Sequence, residues 1–167
     1  MLEKQFRLLG TAICVIFLSM TTIQNSFAGE MRQILTLDMA KKMADACEAK
    51  KNSNPEWRKI NIAIVDNGGN LVLFRRQTDA FMGSINIAID KAKSAARIPF
   101  PTRTIAEIVY GKDGKSGRNP GLVHAGVVAF AGGMPIRNSS GHMLGAIGIS
   151  GATSDQDEEC AKAGIEA

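Results

Sequence analysis

The sequence predicts an α+β fold in which an antiparallel five-stranded sheet is flanked by helices. Three observations lead there. The elements follow the order α-β-β-α-α-β-β-β-α, without the βαβαβ alternation of a doubly wound parallel sheet. Two apolar, β-rich runs, Ile60–Val65 and Leu71–Phe74, flank the turn signal Asp66-Asn67-Gly68-Gly69-Asn70, which is the pattern of a β-hairpin. The 17 Gly are scattered among apolar residues with no collagen-like period, so they mark tight turns and close backbone packing.

Residues 1–28 have the organisation of a secretory signal peptide. Lys4 and Arg7 form a basic start, Leu8 to Met20 is uncharged and apolar, and Ser26-Phe27-Ala28 places small residues at −3 and −1 of a cut after Ala28. The apolar run is about 13 residues, short of the roughly 20 that a membrane span needs, which argues against a permanent anchor. Cutting 28 residues from 167 leaves 139, the length of a single domain over 29–167. Glu3, Lys4 and Arg7 leave with the leader, so the formal charge falls from +4 to +3, too little to argue for nucleic acid. Cys14 also leaves. Cys47 and Cys160 remain, either paired in an oxidising compartment or buried as separate thiols.

In the mature chain, Thr36 is placed to cap a helix that starts at Leu37, with Asp38 in its first turn. Leu37, Ala40, Met43, Ala44 and Cys47 recur at helical spacing, and the helix should end near Asn52, before Asn54-Pro55. The hairpin follows. Residues 80–97 alternate at Ile85, Ile87 and Ile89, yet Met82, Ile85, Ile89, Ala92 and Ala96 fit a helix, which length and the Ala/Lys content favour. Pro99 and Pro101 stop that helix, and Thr102 is read as the cap of a short one reaching Tyr110. Gly111–Gly121 is expected to be a polar loop. Strands are expected at Gly126–Ala131, Met134–Arg137 and Met143–Ser150. Ser154 opens the last helix, with Asp157 as a variant capping-box partner.

Few motifs carry chemistry. Gly114-Lys115-Ser116 has the ending of a P-loop but lacks the leading Gly, since Val109 stands there, and Asn119-Pro120-Gly121 interrupts any following helix. Ser150 matches a nucleophile elbow only in part, because Ala152 replaces the last Gly. The absence of His-Glu-x-x-His excludes a zincin, and the absence of Cys-x-x-Cys-His excludes covalent haem attachment. One His suffices as an axial ligand to haem iron. His142 falls in an expected turn, whereas His124 precedes the apolar run from Gly126 and is the better metal-ligand candidate. Lys91, Lys93, Arg97 and Arg103, with Arg75 and Arg76, could hold carboxylates or haem propionates, or form an ordinary solvated face.

Taken in order, Ile64-Val65-Asp66, Gly69, Leu71-Val72, Ser84, Ile87-Ala88, Lys91-Ala92, Ala95-Ala96, Pro101-Thr102, Gly132-Gly133-x-Pro135-Ile136, Gly145–Gly151, Asp157, Ala161 and Gly164 resemble the HbpS-like and GlcG-like family of small haem-binding proteins. The resemblance runs from about Leu35 to Ile165. It implies a profilin-like fold, homo-oligomers up to octamers, and non-covalent binding of haem or related tetrapyrroles. The resemblance supplies no axial ligand by motif; His124 is the iron-ligand candidate on its chemistry alone, and Arg97 and Lys93 are the cofactor-binding candidates. The roles implied are sequestration, transport, redox sensing or haem degradation, with no catalytic residue assigned, in a periplasmic or secreted protein without a permanent membrane anchor. The competing reading is an oligomeric accessory protein that binds a small metabolite or corrinoid. One departure stands out. Where many members carry a His before the second strand of the hairpin, this chain has Asn70. The resemblance also implies that the terminal helices are neighbours, so that a Cys47–Cys160 disulfide would join the chain ends.

Overall fold

The computed structural model describes residues 33–167; the signal-peptide reading, with its cut after Ala28, lies outside the described residues. Helix α1 (Leu37–Asn52) begins where the sequence places it, with the Thr36 hydroxyl accepting from the Met39 amide at 3.2 Å. Strands β1 (Asn61–Asp66) and β2 (Leu71–Arg76) form the expected hairpin. Its turn is closed by the Asp66 carboxylate, which accepts from the Gly68 and Asn70 amides at 2.9 and 2.8 Å. Helices α2 (Ser84–Arg97) and α3 (Thr102–Tyr110) follow. Then come the two-residue strands β3 (Gly111–Lys112) and β4 (Lys115–Ser116), the 3-10 helix Pro120–Ala125, β5 (Gly133–Arg137), β6 (Met143–Ser150) and α4 (Ser154–Ile165).

The main sheet is antiparallel throughout, in the order β2-β1-β6-β5. Alternation along the two central strands decides which layer goes where. Ile62, Ile64, Ile147 and Ile149 point to one face and pack with Ala40, Ala44 and Cys47 of α1 and Cys160 and Ala161 of α4. Each buried Ile contributes roughly 1.5–3 kcal/mol. Cys47 and Cys160 form a disulfide between these two helices, with their Cα atoms 4.7 Å apart. On the opposite face Ala63, Val65 and Ala146 meet the stripe Ala88, Ala92 and Ala95 of α2. The approach there is backbone to backbone. A Cβ on Gly148 would strike the Ala88 carbonyl oxygen, and one on Gly133 would meet the Lys91 carbonyl carbon at 2.9 Å.

Four expectations need correction. The sheet has four strands, because Gly126–Ala131 does not join it. That segment runs instead along α2, where Arg97 donates to the Ala125 carbonyl, Ser94 Oγ accepts from the Val128 amide at 2.9 Å, and Lys91 lies beneath the Phe130 ring. Residues 91, 94 and 97 are one helical stripe, so the alternating burial of Val127 and Ala129 records packing on helices, not strand pairing. The polar loop at Gly111 contains the small β3–β4 hairpin. Thr102 is the first residue of α3 and leaves it uncapped; its hydroxyl accepts from the Gly133 amide at 2.9 Å. Helix α4 is capped one residue earlier than expected, by Thr153 with Gln156 completing the capping box, which frees Asp157 for another use.

Candidate functional site

Most of the cations read as ligand-holding candidates are spent inside the protein. Arg75 is paired with Asp45 and Glu48 of α1, the latter at 2.8 Å, and Arg76 donates to the Ala80 carbonyl at 2.9 Å. Arg103 pairs with Asp155 and Glu158 of α4. Lys91 has no exposure at all. Its ammonium donates to Asp157 Oδ2 and to the Ile149 carbonyl, both at 2.8 Å, with the Phe130 ring 4.8 Å above it. Lys91 thus leaves the α2 layer at the end of the sheet and joins α4 on the other side. Gly132 makes room for it, since a Cβ there would lie 2.6 Å from Lys91 Nζ. Burial pushes the Lys91 ammonium down and the Asp157 carboxyl up, against the mutual attraction of the pair.

Lys93 and Arg97 remain. They lie one turn apart on the exposed side of α2, and neither has an acidic partner among the described residues. Arg97 Nη2 reaches the Ala125 carbonyl at 3.3 Å, which brings its guanidinium to the end of the 3-10 helix that carries His124. His124 is exposed, and Leu122 and Val123 on the same turn pack half-buried against Ile105 and Val109 of α3. Arg97 and His124 are therefore brought together, with Lys93 on the same side of α2. Phe100 and Phe130 are exposed on the segments that continue from this region.

Other readings fall away. His142 is exposed beside the β5–β6 turn, and its amide donates to Asn138 Oδ1 at 2.8 Å. Ser150 ends a buried strand. Gly114-Lys115-Ser116 forms the turn and return strand of the β3–β4 hairpin, not a helix N-terminus. Asn70 is occupied in the first hairpin, where its side-chain amide donates to Asp66 Oδ2 at 3.0 Å and, with its own backbone N–H, holds the Asp66 carboxyl below its ordinary value. Among the described residues no cluster of three or more His, Cys, Asp or Glu is arranged to hold a metal ion. On this surface His124 offers an exposed imidazole, and Arg97 and Lys93 offer two cations without acidic partners among the described residues, which are the donor types that a haem iron and its propionates take.

The buried Lys91–Asp157 pair escaped the sequence reading. The available signal was a lysine embedded in the small-residue stripe Ala88, Ala92 and Ala95, a position with no route to solvent.

Comparison with known proteins places the chain in a wider group. The family model described as "Haem degrading protein HbpS-like" matches residues 35–166. The uncharacterized 15.0 kDa protein in the dhaT-dhaS intergenic region of Citrobacter freundii is 36% identical over 137 residues, covering 79% of this chain and 90% of that protein. A crystal structure of a double mutant of Streptomyces reticuli HbpS superposes with a TM-score of 0.70 at 32% identity, covering 84% of this chain and 92% of that one. The crystal structure of a PduOC:heme complex gives a TM-score of 0.69 at 25% identity, covering 80% and 94%.

Proposed function

This chain belongs to the HbpS-like family of haem degrading proteins, and from that premise we propose that it binds haem or a related tetrapyrrole non-covalently. The observation that carries the proposal is the exposed group of His124, Arg97 and Lys93, left without acidic partners while the neighbouring cations are neutralised internally. A haem-bound structure among its structural neighbours supports the same ligand class. His124 would ligate the iron, and Arg97 and Lys93 would hold the propionates; bound haem supplies a redox-active, ligand-binding iron. The Cys47–Cys160 disulfide supports the reading of residues 1–28 as a secretory leader, since such bonds persist in oxidising compartments, and the site of action is then the periplasm or outside the cell. Homo-oligomeric assembly is part of the same proposal.

The test is a hemin titration of the mature protein followed at the Soret band. A saturable shift at micromolar hemin is expected, weakened in His124→Ala and, through the propionates, in the Lys93→Ala/Arg97→Ala double variant. No saturable shift overturns the proposal, and an unchanged spectrum in His124→Ala removes His124 as the ligand. The competing reading, a small-metabolite or corrinoid binder, draws on Asn70, which offers no iron ligand before β2. It predicts thermal stabilisation by organic acids with no haem spectrum.

A further inference from the structure

A second region of the protein has the composition of a ligand site and no part in the reading above. A surface pocket of about 340 Å³ is lined by Trp57, Arg58, Lys59, Asp79 and Phe81. It lies beyond the N-terminal end of α2, whereas His124 and Arg97 lie at the C-terminal end; a helix of 14 residues puts about 21 Å between the two ends.

Its walls are held in place by contacts outside the pocket. Trp57 is only 8% exposed, and its ring has the Lys50 ammonium 5.6 Å from its centroid. The strand start that follows Lys59 is tied to the opposite wall, because the Ile60 amide donates to Gln77 Oε1 and the Ile60 carbonyl accepts from the Gln77 amide, both at 3.1 Å. The Phe81 carbonyl accepts from Ser84 Oγ at 2.7 Å and from the buried Asn61 side-chain amide at 3.3 Å. Phe81 itself is 55% exposed, an open ring on a fixed backbone. Among the described residues Asp79 is one of two non-glycine residues at positive φ, at 65°, so the loop that shapes this wall is held in the left-handed region.

The chemistry of the lining selects a ligand class. The half-exposed Phe81 ring offers apolar surface to a flat body, with the nearly buried Trp57 in the wall beside it. Arg58 sits 5.4 Å from the Phe81 ring centroid, stacked in the manner of a cation–π pair. Neither Arg58 nor Lys59 has an acidic partner among the described residues, and Asp79 is the single carboxylate in the lining. The surplus is one positive charge, which a monoanion neutralises and a dianion exceeds. The planar guanidinium is suited to a carboxylate, which it can grip with two parallel hydrogen bonds. The volume falls within the range of pockets that take small ligands and is too small to enclose a macrocycle. We propose that this pocket is a binding site for a small aromatic monocarboxylate.

The reporter is built in, since Trp57 is the sole tryptophan of the chain. The full mature protein is titrated with benzoate, acetate and benzyl alcohol, with Trp57 emission followed at an excitation wavelength where benzoate does not absorb. Benzoate is expected to change the emission saturably, with half-saturation on the order of 1 mM for a ligand of so few atoms. Acetate, which lacks the ring, and benzyl alcohol, which lacks the charge, should each bind about tenfold more weakly or not at all. Arg58→Gln and Phe81→Ala should each raise the benzoate half-saturation by about tenfold while leaving far-UV dichroism and the urea unfolding midpoint unchanged, because both side chains are exposed. His124→Ala should leave benzoate binding intact, so that a failure of the haem reading and a failure of this one are told apart. Linear quenching without saturation, or the same half-saturation in wild type and both pocket variants, overturns the proposal.

Discussion

Replacing Lys91 with methionine, a side chain of similar length without charge, tests the connection between the two helical layers. The ammonium makes two 2.8 Å hydrogen bonds, to Asp157 Oδ2 and the Ile149 carbonyl, and its residue has no exposure. Without it, Asp157, itself 2% exposed, is left with backbone amides as donors, Ala152 at 3.1 Å and Gly151, and no counter-charge, and the Ile149 carbonyl loses the ammonium. Breaking a buried pair from one side costs about 3–5 kcal/mol, a large part of the roughly 5–15 kcal/mol that stabilises a domain. At this chain length the loss corresponds to a fall in Tm of about 10–20 °C. Burial already pushes the Asp157 carboxyl up, and Lys91 opposes that push; removing Lys91 raises it further. A carboxyl whose folded value is raised confers stability below its ordinary value and loses it as pH rises through the folded value. The Lys91→Met variant should therefore be most impaired at neutral pH and approach wild type as the medium becomes acidic. Urea unfolding of wild type, Lys91→Met, Asp157→Leu and the double variant, at neutral and acidic pH, supplies the cycle. The double variant should recover to within about 2 kcal/mol of wild type, because two apolar groups leave no charge unpaired. A single-variant loss below about 1 kcal/mol, or a double-variant loss equal to the sum of the singles, refutes the reasoning.

Three further outcomes are expected. Gly148→Ala should cost about 1–3 kcal/mol or more in denaturant unfolding, because the new Cβ strikes the Ala88 carbonyl oxygen and the Ala92 amide nitrogen, backbone atoms that cannot rotate away; an unchanged midpoint would contradict the close approach of α2. Reducing the Cys47–Cys160 bond, which spans 113 residues, should lower stability by about 2–5 kcal/mol, and the oxidised protein unfolded without reductant should resist alkylation at both cysteines. For Glu158, burial pushes the carboxyl up, but hydrogen bonds from Lys162 and Arg103 outweigh it and leave the group below its ordinary value of 4.5. The stability lost in Glu158→Gln should thus be present above pH 4.5 and vanish as pH falls through the lowered value; a loss unchanged down to strong acid would show that the ion pairs are not its source.

Local chemistry made most elements legible. Thr36, the Asp66–Asn70 turn and the proline stops at Pro99 and Pro101 act within a few residues, so reading neighbours was enough. The strand expected at Gly126–Ala131 was misread for a reason that period counting cannot remove. Burial of Val127 and Ala129 alternates with Val128 because the extended segment is sandwiched against α2 and α3, and its backbone N–H at Val128 finds a serine hydroxyl instead of a strand. Alternation reports an extended chain with one wet side and is silent about what covers the dry side. The cap of α4 moved by one residue for a related reason: Asp157, a good first-turn residue for the helix dipole, is drawn inward by Lys91 from another layer.

The same distinction governs the site. Six basic residues were candidates for holding carboxylates, and sequence spacing ranks none of them above the rest. What separates them is where the acids of distant elements fall. Asp45 and Glu48 of α1 take Arg75, Asp157 of α4 takes Lys91, and Asp155 and Glu158 take Arg103, across separations of 27 to 66 residues. Arg76 is turned to the Ala80 carbonyl. Lys93 and Arg97 are left over by this pairing, and Arg97 is drawn toward the turn that carries His124 because the misread segment lies on α2 instead of in the sheet. Had Gly126–Ala131 formed a fifth strand, its backbone would belong to the sheet ladder, and the Ser94–Val128 and Arg97–Ala125 hydrogen bonds that tie this stretch to α2 would not form. The element that the sequence misassigned is therefore the one that assembles the candidate site.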